Sequence, residues 1–142
     1  MLQLRPPEET DAAAIQELLQ QLGYFASITD VRMRLTHLST SGSDPILLAV
    51  DAGEVLGLIA LHWSPMLFAP ARVARITTLV VNQRARGRGI GRALVEAGSN
   101  LARDAGCGTL ELTTGLARTD AHAFYTSLGF SASSLRFFRD LA

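Results

Sequence analysis

Residues 78–94 constrain the fold of this chain more than any other part of the sequence. They read Thr-Leu-Val-Val-Asn-Gln-Arg-Ala-Arg-Gly-Arg-Gly-Ile-Gly-Arg-Ala-Leu. An apolar strand ends at Val81, a loop with three alternating glycines and four arginines follows, and a helix then begins. Glycine lets the backbone approach a ligand closely, and the first turn of a helix offers N–H groups without internal partners. The segment therefore predicts an anion site, and the arginines favour a phosphate-bearing ligand.

Three other interpretations of this loop compete with a phosphate site. A plain turn needs neither three glycines, which cost conformational entropy, nor a cluster of arginines. A Walker phosphate loop needs a lysine, and the chain has none. A dinucleotide fingerprint needs a third small residue where Arg92 stands, although Glu111 lies at the distance of a ribose-binding acid. Too little chain follows the loop for a doubly wound domain, so the phosphate site is the favoured interpretation.

Length and composition predict a single domain, 1–142. The chain is 48% hydrophobic, which suffices for a core, and no apolar run reaches the ~18 residues of a membrane span. We see no signal-peptide pattern at the N-terminus, and Cys107 is the only cysteine. Thirteen basic and thirteen acidic residues cancel, whereas nucleic-acid binders carry a basic excess. We expect a cytoplasmic protein that binds no membrane, nucleic acid or metal.

Hydrophobic periodicity and turn residues predict an α/β fold with a mixed sheet and helices on both faces, in the order β-α-α-β-β-β-α-β-α-β. The three consecutive strands indicate an antiparallel part, and the later strand–helix–strand unit indicates a parallel pair. The predicted strands are Leu2–Arg5, Ile46–Val50, Val55–Trp63, Arg72–Val81, Thr109–Thr114 and Ser134–Leu141. The predicted helices run from the cap Asp11 through Leu22, from about Thr29 to Leu38 after a capping signal at Ser27, from Ile90 to Ala105 and from Thr119 to Leu128.

A second motif lies at 121–130, which reads Ala-His-Ala-Phe-Tyr-Thr-Ser-Leu-Gly-Phe. Alone, this segment is as typical of a structural amphipathic helix, with Phe124 and Leu128 in the core, as it is of a functional motif. The two motifs in this order resemble the GNAT superfamily of N-acetyltransferases, and the resemblance extends from Arg5 to Leu141. Residues 86–91 match the R-x-x-G-x-G/A loop of that family, and residues 124–130 match its F/Y-Y-x-x-x-G-F segment.

The resemblance implies that the loop amides bind the pyrophosphate of acetyl-CoA. It also implies that the preceding strand pairs with the pantetheine arm and splays from Thr109–Thr114, so that the thioester lies in the gap. Tyr125 is implied as the general acid for the leaving thiolate, and the N–H of Val80 or a neighbour as the oxyanion donor. The implied coenzyme-binding residues are Leu79, Val80, Val81, Arg84, Arg86, Gly87, Arg88, Gly89, Ile90, Gly91, Arg92, Arg118 and Phe124.

Two positions depart from the pattern of the family. Many relatives carry Asn seven residues before the tyrosine, where this chain has Arg118; this arginine can bind a coenzyme phosphate or an acidic substrate. Many relatives also carry Glu or His on the strand before the loop, but residues 75–79 contain no such base. His62, Glu111 and His122 remain as candidate bases, with His62 as the first choice and a water-relayed proton as the alternative.

The resemblance therefore predicts an acetyl-CoA-dependent N-acetyltransferase that acts on a small-molecule amine or an N-terminal amine. Two alternatives stay open: an acyl-CoA-binding sensor without turnover, and an acyltransferase that acts on a protein or uses a longer acyl-CoA. Aromatic and apolar residues at Tyr24, Phe25 and 63–68 are candidates for the acceptor site, but packing in the core or in a homodimer interface is the favoured interpretation. We expect a homodimer.

Overall fold

The computed structural model describes residues 1–142 and contains five strands and four α-helices. The chain divides into two compact units, Met1–Glu111 and Leu112–Ala142. The first unit contains β1 (Gln3–Arg5), α1 (Ala12–Gln21), α2 (Ile28–Ser39), β2 (Ile46–Asp51), β3 (Glu54–Ser64), β4 (Arg72–Val81), α3 (Ile90–Asp104) and β5 (Cys107–Glu111). The second unit contains α4 (Thr119–Ser127). No helix combines the length and apolar character that crossing a bilayer requires.

The five strands form one mixed sheet in the order β1-β2-β3-β4-β5. The first three pairings are antiparallel, and β4 and β5 are parallel neighbours joined through α3. A two-residue turn joins β2 to β3, and both of its residues, Ala52 and Gly53, have positive φ angles of 51° and 78°, as the tightest hairpin turns require. These pairings confirm the predicted antiparallel part and the predicted parallel pair.

Helices cover both faces of this sheet in the first unit, as predicted. On one face, Ile15 and Leu18 of α1 and Val31 of α2 belong to a core cluster with Leu58 of β3 and Val80 of β4. On the other face, the side chains of α3 pack on the residues of β3 that alternate with Leu58. Because side chains alternate along a strand, this one strand contributes to both layers.

Gly57 sets how closely α3 approaches the sheet. A Cβ atom on Gly57 would lie 3.1 Å from Leu94 Cδ1, 3.2 Å from Ile90 Cγ2 and 3.1 Å from the Val80 carbonyl oxygen. The first two atoms belong to the first turns of α3, and the third is backbone that cannot easily yield. A glycine in the middle of a strand is normally unfavourable. Here it allows the start of α3 to pack directly on β3.

Three predicted details were wrong. The predicted strand Ser134–Leu141 does not form: no helix or strand follows α4, and its large apolar side chains, among them Leu135 and Phe137, are exposed. An alternating pattern makes a strand only where a neighbouring strand accepts its hydrogen bonds. The strand predicted at Thr109–Thr114 runs instead over Cys107–Glu111.

The third detail concerns Asp11, which precedes α1 but makes no side-chain capping bond to it. Its carboxylate instead accepts bonds of 2.8 and 3.0 Å from the Arg5 guanidinium and one of 2.7 Å from the Glu8 N–H. These bonds outweigh burial and lower the pKa of Asp11. An ion pair with β1 has replaced the expected cap. By contrast, Ser27 caps α2 as predicted, because its Oγ accepts from the Asp30 N–H.

Candidate active site

The strand β4 has a backbone edge that pairs with no strand over its second half. The parallel pairing with β5 begins at Arg72 and ends at Arg75, opposite Glu111, although β4 continues to Val81. Across the same residues, 76–81, the other edge of β4 remains paired with β3. Between Arg75 and Thr78 the strand contains a bulge, because Ile76 and Thr78 pair with consecutive residues of β3. The sheet thus opens beside β4 just after Arg75.

Hydrogen-bond alternation shows which backbone groups face this open edge. The Asn82 N–H, one residue beyond the Val81–Gly57 pair, donates to the carbonyl oxygen of Leu56 at 2.8 Å. In an antiparallel pair, bonded and non-bonded residues alternate, so Val80 also directs its N–H and C=O at β3. Leu79 and Val81 direct theirs at the open edge. The Val81 carbonyl accepts a bond from Arg86 Nε at 3.4 Å there. The N–H of Val80, the predicted oxyanion donor, therefore points away from the open edge, whereas those of its two neighbours point toward it.

The turn after β4 is anchored to the rest of the first unit. Asn82 is buried, and its Oδ1 accepts from the Arg84 N–H at 3.2 Å. The Gln83 N–H donates to the side chain of Gln21, at the end of α1, at 3.0 Å. Ala85 is buried and donates its N–H to the Asn82 carbonyl. The loop that follows is therefore held at its base.

The glycine-arginine loop, residues 86–92, presents a run of backbone donors to solvent. Gly87 and Gly89 have φ angles of 80° and 78°, in the left-handed region, and no heavy atom lies within 4 Å of a Cβ built on either residue. Gly89 caps α3, whose first intrahelical bond runs from the Ala93 N–H to the Gly89 carbonyl. The N–H groups from Gly87 to Arg92 have no acceptor within the protein. This open cradle fits a diphosphate.

Two arginines of the loop region already have carboxylate partners on the residues that flank the β2–β3 turn. Arg88 Nη2 lies 3.1 Å from Asp51 Oδ2, and Arg84 Nη2 lies 3.0 Å from Glu54 Oε1. The pKa of Asp51 is lowered by the N-terminal ammonium group, which lies 3.0 Å away, and further by Arg88. Arg92 is exposed in the first turn of α3. The loop therefore has four guanidinium groups nearby, two of them balanced by acids.

Tyr125 lies on α4 in the second unit. Its ring makes edge contacts with Phe124 and Phe130, at centroid distances of 5.2 and 5.8 Å. Burial raises the pKa of the Tyr125 phenol, and the charge of Arg118, which immediately precedes α4, opposes this only in part. The phenol therefore keeps its proton throughout the neutral range and can act as a proton donor.

The three candidate bases differ in their surroundings. His62 Nδ1 lies 2.7 Å from Asp44 Oδ1, a partner that sequence reasoning missed because the two residues are distant in the chain. Glu111 is 3.3 Å from Arg75 Nη1. His122 Nε2 bonds to the carbonyl oxygen of Gly115, at 2.8 Å. Only His62 has a carboxylate that orients it.

The sequence model of the acetyltransferase (GNAT) family matches residues 12–130. The chain belongs to this family. The prediction of a GNAT acetyltransferase is confirmed, and the two motifs that led to it both lie inside the matched range.

Individual relatives agree with this assignment. The chain of this GNAT protein is 39% identical over 94 residues to an aminoalkylphosphonate N-acetyltransferase from Salmonella typhimurium, which covers 66% of this chain and 61% of the relative. A putative acetyltransferase from Agrobacterium tumefaciens has the same fold, with a TM-score of 0.88, 27% identity and 97% and 99% coverage. An aminoglycoside N-acetyltransferase solved in complex with CoA aligns with a TM-score of 0.87, 16% identity and 100% and 96% coverage; this likeness shows the fold alone.

Proposed function

We propose that residues 1–142 act as one acetyltransferase domain that moves an acetyl group from acetyl-CoA to the primary amine of a small molecule or an N-terminus. The observation that carries the proposal is the continuity of two features. The open edge of β4 runs directly into the glycine-arginine loop, whose amides have no acceptor in the protein. A strand edge suits an extended amide-containing arm, and the loop suits its diphosphate.

The residues that would hold the coenzyme follow from this continuity. The loop amides of Gly87 to Arg92 would bind the diphosphate, and nearby guanidinium groups would bind phosphate oxygens. The outward backbone groups of Leu79 and Val81 would pair with the pantetheine arm. The remaining proposed contacts, which rest on the resemblance, come from Arg118 and Phe124. When bound, acetyl-CoA supplies the acetyl group as a reactive thioester.

The transfer step then needs a donor that stabilises the oxyanion, an acceptor for the proton of the amine and a proton donor for the leaving thiolate. For an amine of pKa ~10.4, deprotonation at pH 7 costs roughly 4.6 kcal/mol, so the site needs a proton acceptor. We assign the oxyanion donor to the N–H of Leu79, because Val80 directs its own at β3 while Leu79 faces the open edge near the bulge. Tyr125 Oη is the proposed proton donor to the leaving thiolate, a role that rests on the resemblance.

The acceptor is proposed to be a small amine. The relative from Salmonella acts, by its name, on aminoalkylphosphonates, and this chain spans 61% of that relative's length. Arg118 offers one cation for an acidic acceptor of that kind. The rival proposal is a sensor that binds acyl-CoA without turnover, and the observation in its favour is that β4 carries no acidic residue or histidine.

We also propose a cytoplasmic homodimer. Leu67 and Phe68, between β3 and β4, are exposed, with relative accessibilities of 107% and 80%. Apolar side chains so exposed on a loop are typical of an interface. Sedimentation velocity would test the dimer, since Leu67→Asp should shift the protein to a monomer.

Two measurements test the function. Acetyl-CoA at 100 times its Kd should stabilise the folded protein by about 2.7 kcal/mol and raise its melting temperature by several degrees. A screen of amines with detection of free thiol should then show turnover with at least one acceptor class. Thermal stabilisation without thiol release for any amine would favour the sensor, and no stabilisation at millimolar acetyl-CoA would refute the site.

A further inference from the structure

A row of polar side chains crosses the sheet where it opens. His62 on β3 is the register partner of Arg75 on β4, which is the partner of Glu111 on β5. Direct partners share a face of the sheet, and Arg75 Nη1 contacts Glu111 Oε1 at 3.3 Å. At a strand spacing of about 4.8 Å the row spans roughly 10 Å. Arg75 and Glu111 are the last pair between β4 and β5. The row therefore lies where this pairing stops and the open edge of β4 begins.

The residue at one end of this row is fixed by a carboxylate. Asp44 accepts from His62 Nδ1 at 2.7 Å through Oδ1, and its Oδ2 accepts from the hydroxyls of Ser41 at 2.5 Å and Ser43 at 3.2 Å. Burial raises the pKa of Asp44, but the bonds from Ser41 and His62 outweigh it and leave the pKa below its ordinary value. The carboxylate is therefore ionised at neutral pH, and all of its side-chain partners hold it in one orientation.

The loop that carries Asp44 is itself tied to β3. The Leu61 N–H donates to the Pro45 carbonyl and the Trp63 N–H donates to the Ser43 carbonyl, both at 3.0 Å. These two bonds flank His62, so Asp44 and His62 are held at a fixed spacing. His62 nevertheless remains accessible, with 47% of its side chain exposed, and it lines an open groove together with Trp63 and Arg72.

We propose that Asp44 and His62 form an oriented pair in which His62 Nε2 accepts the proton of the acceptor amine and Asp44 is the positioning residue. This inference rests on the proposed acetyl transfer. With Nδ1–H donated to Asp44, Nε2 holds the free lone pair, which is the arrangement by which a carboxylate prepares an imidazole as a base in other enzymes.

The proton balance is as follows for an acceptor that arrives as an ammonium ion. His62 Nε2 takes one proton, and the freed lone pair of the nitrogen forms the C–N bond. The C–S bond then breaks, the thiolate would take the proton of Tyr125, the acid that the resemblance implies, and the second nitrogen proton would return to the phenol through solvent. His62 releases its proton to water. Because Arg75 stands between His62 and the open edge, one water molecule is expected to bridge the nitrogen and Nε2.

The charged groups around His62 come from three elements. Asp44 is the carboxylate in direct contact, Arg75 faces it from β4 and is paired with Glu111, and Arg72 lines the same groove. An imidazole accepts a proton only in its neutral form, so a rate that depends on His62 as a base should fall as the pH is lowered.

The test is the pH dependence of kcat/KM with acetyl-CoA and an amine that responds in the thiol-release screen. We expect the wild-type rate to fall along an acidic limb. His62→Gln should remove this limb and lower kcat/KM about 100-fold, while imidazole added to His62→Ala restores part of the rate. Asp44→Asn keeps a hydrogen-bonding side chain but loses the charge that orients the ring, so it should lower the rate about tenfold while the acidic limb remains. His37→Gln, on the exposed end of α2, should behave as the wild type.

The outcomes separate this inference from the proposed function. An unchanged limb in His62→Gln, or a limb that disappears only in Glu111→Gln, overturns the inference while acetyl transfer stands. If the wild type transfers acetyl to no amine, both proposals fail. Each variant is checked for folding by its thermal stabilisation with acetyl-CoA, which we expect at the wild-type level because none of these residues lies in the glycine-arginine loop.

Discussion

The two ends of β4 differ in how their functional residues are assembled. At the end near Val81, the loop, the helix start and the arginines all come from one stretch of chain, 82–92. At the other end, the polar row draws on β3, β4, β5 and the loop before β2. The residues of the first site are neighbours in the sequence, whereas those of the second are brought together by the register of the sheet. The difference predicts that mutations at the first end act on coenzyme binding and those at the second end act on the transfer step.

The largest expected effect is at the first end, in Gly89→Glu. This change places a carboxylate and a strained left-handed backbone in the cradle, where a Cβ now meets no atom within 4 Å. We expect loss of acetyl-CoA binding by at least three orders of magnitude in calorimetry. Gly106→Glu is the matched control, since Gly106 has a φ of 81° at the opposite end of α3 and equally open surroundings. Equal losses in both variants would mean that strain, rather than the phosphate site, explains the result.

The next effect in size separates the transfer step from binding. Tyr125→Phe should lower kcat about 100-fold and leave the Kd of acetyl-CoA unchanged, because only the proton donor is lost. Since burial raises the pKa of Tyr125, any alkaline limb that belongs to it should lie above the pH at which a free phenol titrates and vanish in the variant. Stopped-flow detection of thiol release would measure kcat and its alkaline limb. A wild-type kcat in Tyr125→Phe would remove the phenol from the mechanism.

A smaller effect is expected at Gly57, which links the sheet to the loop. Gly57→Ala pushes the new Cβ against the Val80 carbonyl and the start of α3, so we expect a loss of about 1–3 kcal/mol in stability and roughly tenfold weaker acetyl-CoA binding. Gly98→Ala is the control, because its new Cβ meets only the flexible ends of Ile59 and Leu61, and alanine favours the helix. Urea unfolding and calorimetry would show whether the binding loss is confined to Gly57→Ala.

The smallest effect concerns the acid partner of Arg84. Glu54→Gln removes a carboxylate that lies 3.0 Å from the guanidinium and that repels an incoming phosphate. Because exposed pairs of this kind are weak, we expect acetyl-CoA to bind only about twofold more tightly. Glu96→Gln, exposed on α3, tests whether any lost negative charge has the same effect. Weaker binding in Glu54→Gln would show that the acid orients Arg84 more than it competes.

The comparison also explains what could be predicted from the sequence. Strand β4 was predicted at its observed bounds, Arg72–Val81, and α3 to within a residue, because an apolar strand, glycines and a periodic helix are local signals. The family followed from the same segment and the tyrosine motif. The orientation of Val80 could not be predicted, since it depends on which residues of β4 are bonded to β3. The Asp44–His62 contact could not be predicted from the sequence either, because the two residues are 18 positions apart and meet only through the conformation of a loop.

The β2–β3 turn has a consequence for how the coenzyme site responds to ionic strength. Asp51 and Glu54, which flank this turn, pair with Arg88 and Arg84 and so lower the net positive charge of the loop. Salt screens the attraction between exposed charges, and an arginine that already faces a carboxylate contributes less of that attraction. Acetyl-CoA binding should therefore weaken less steeply with added salt than a loop with four unbalanced arginines would.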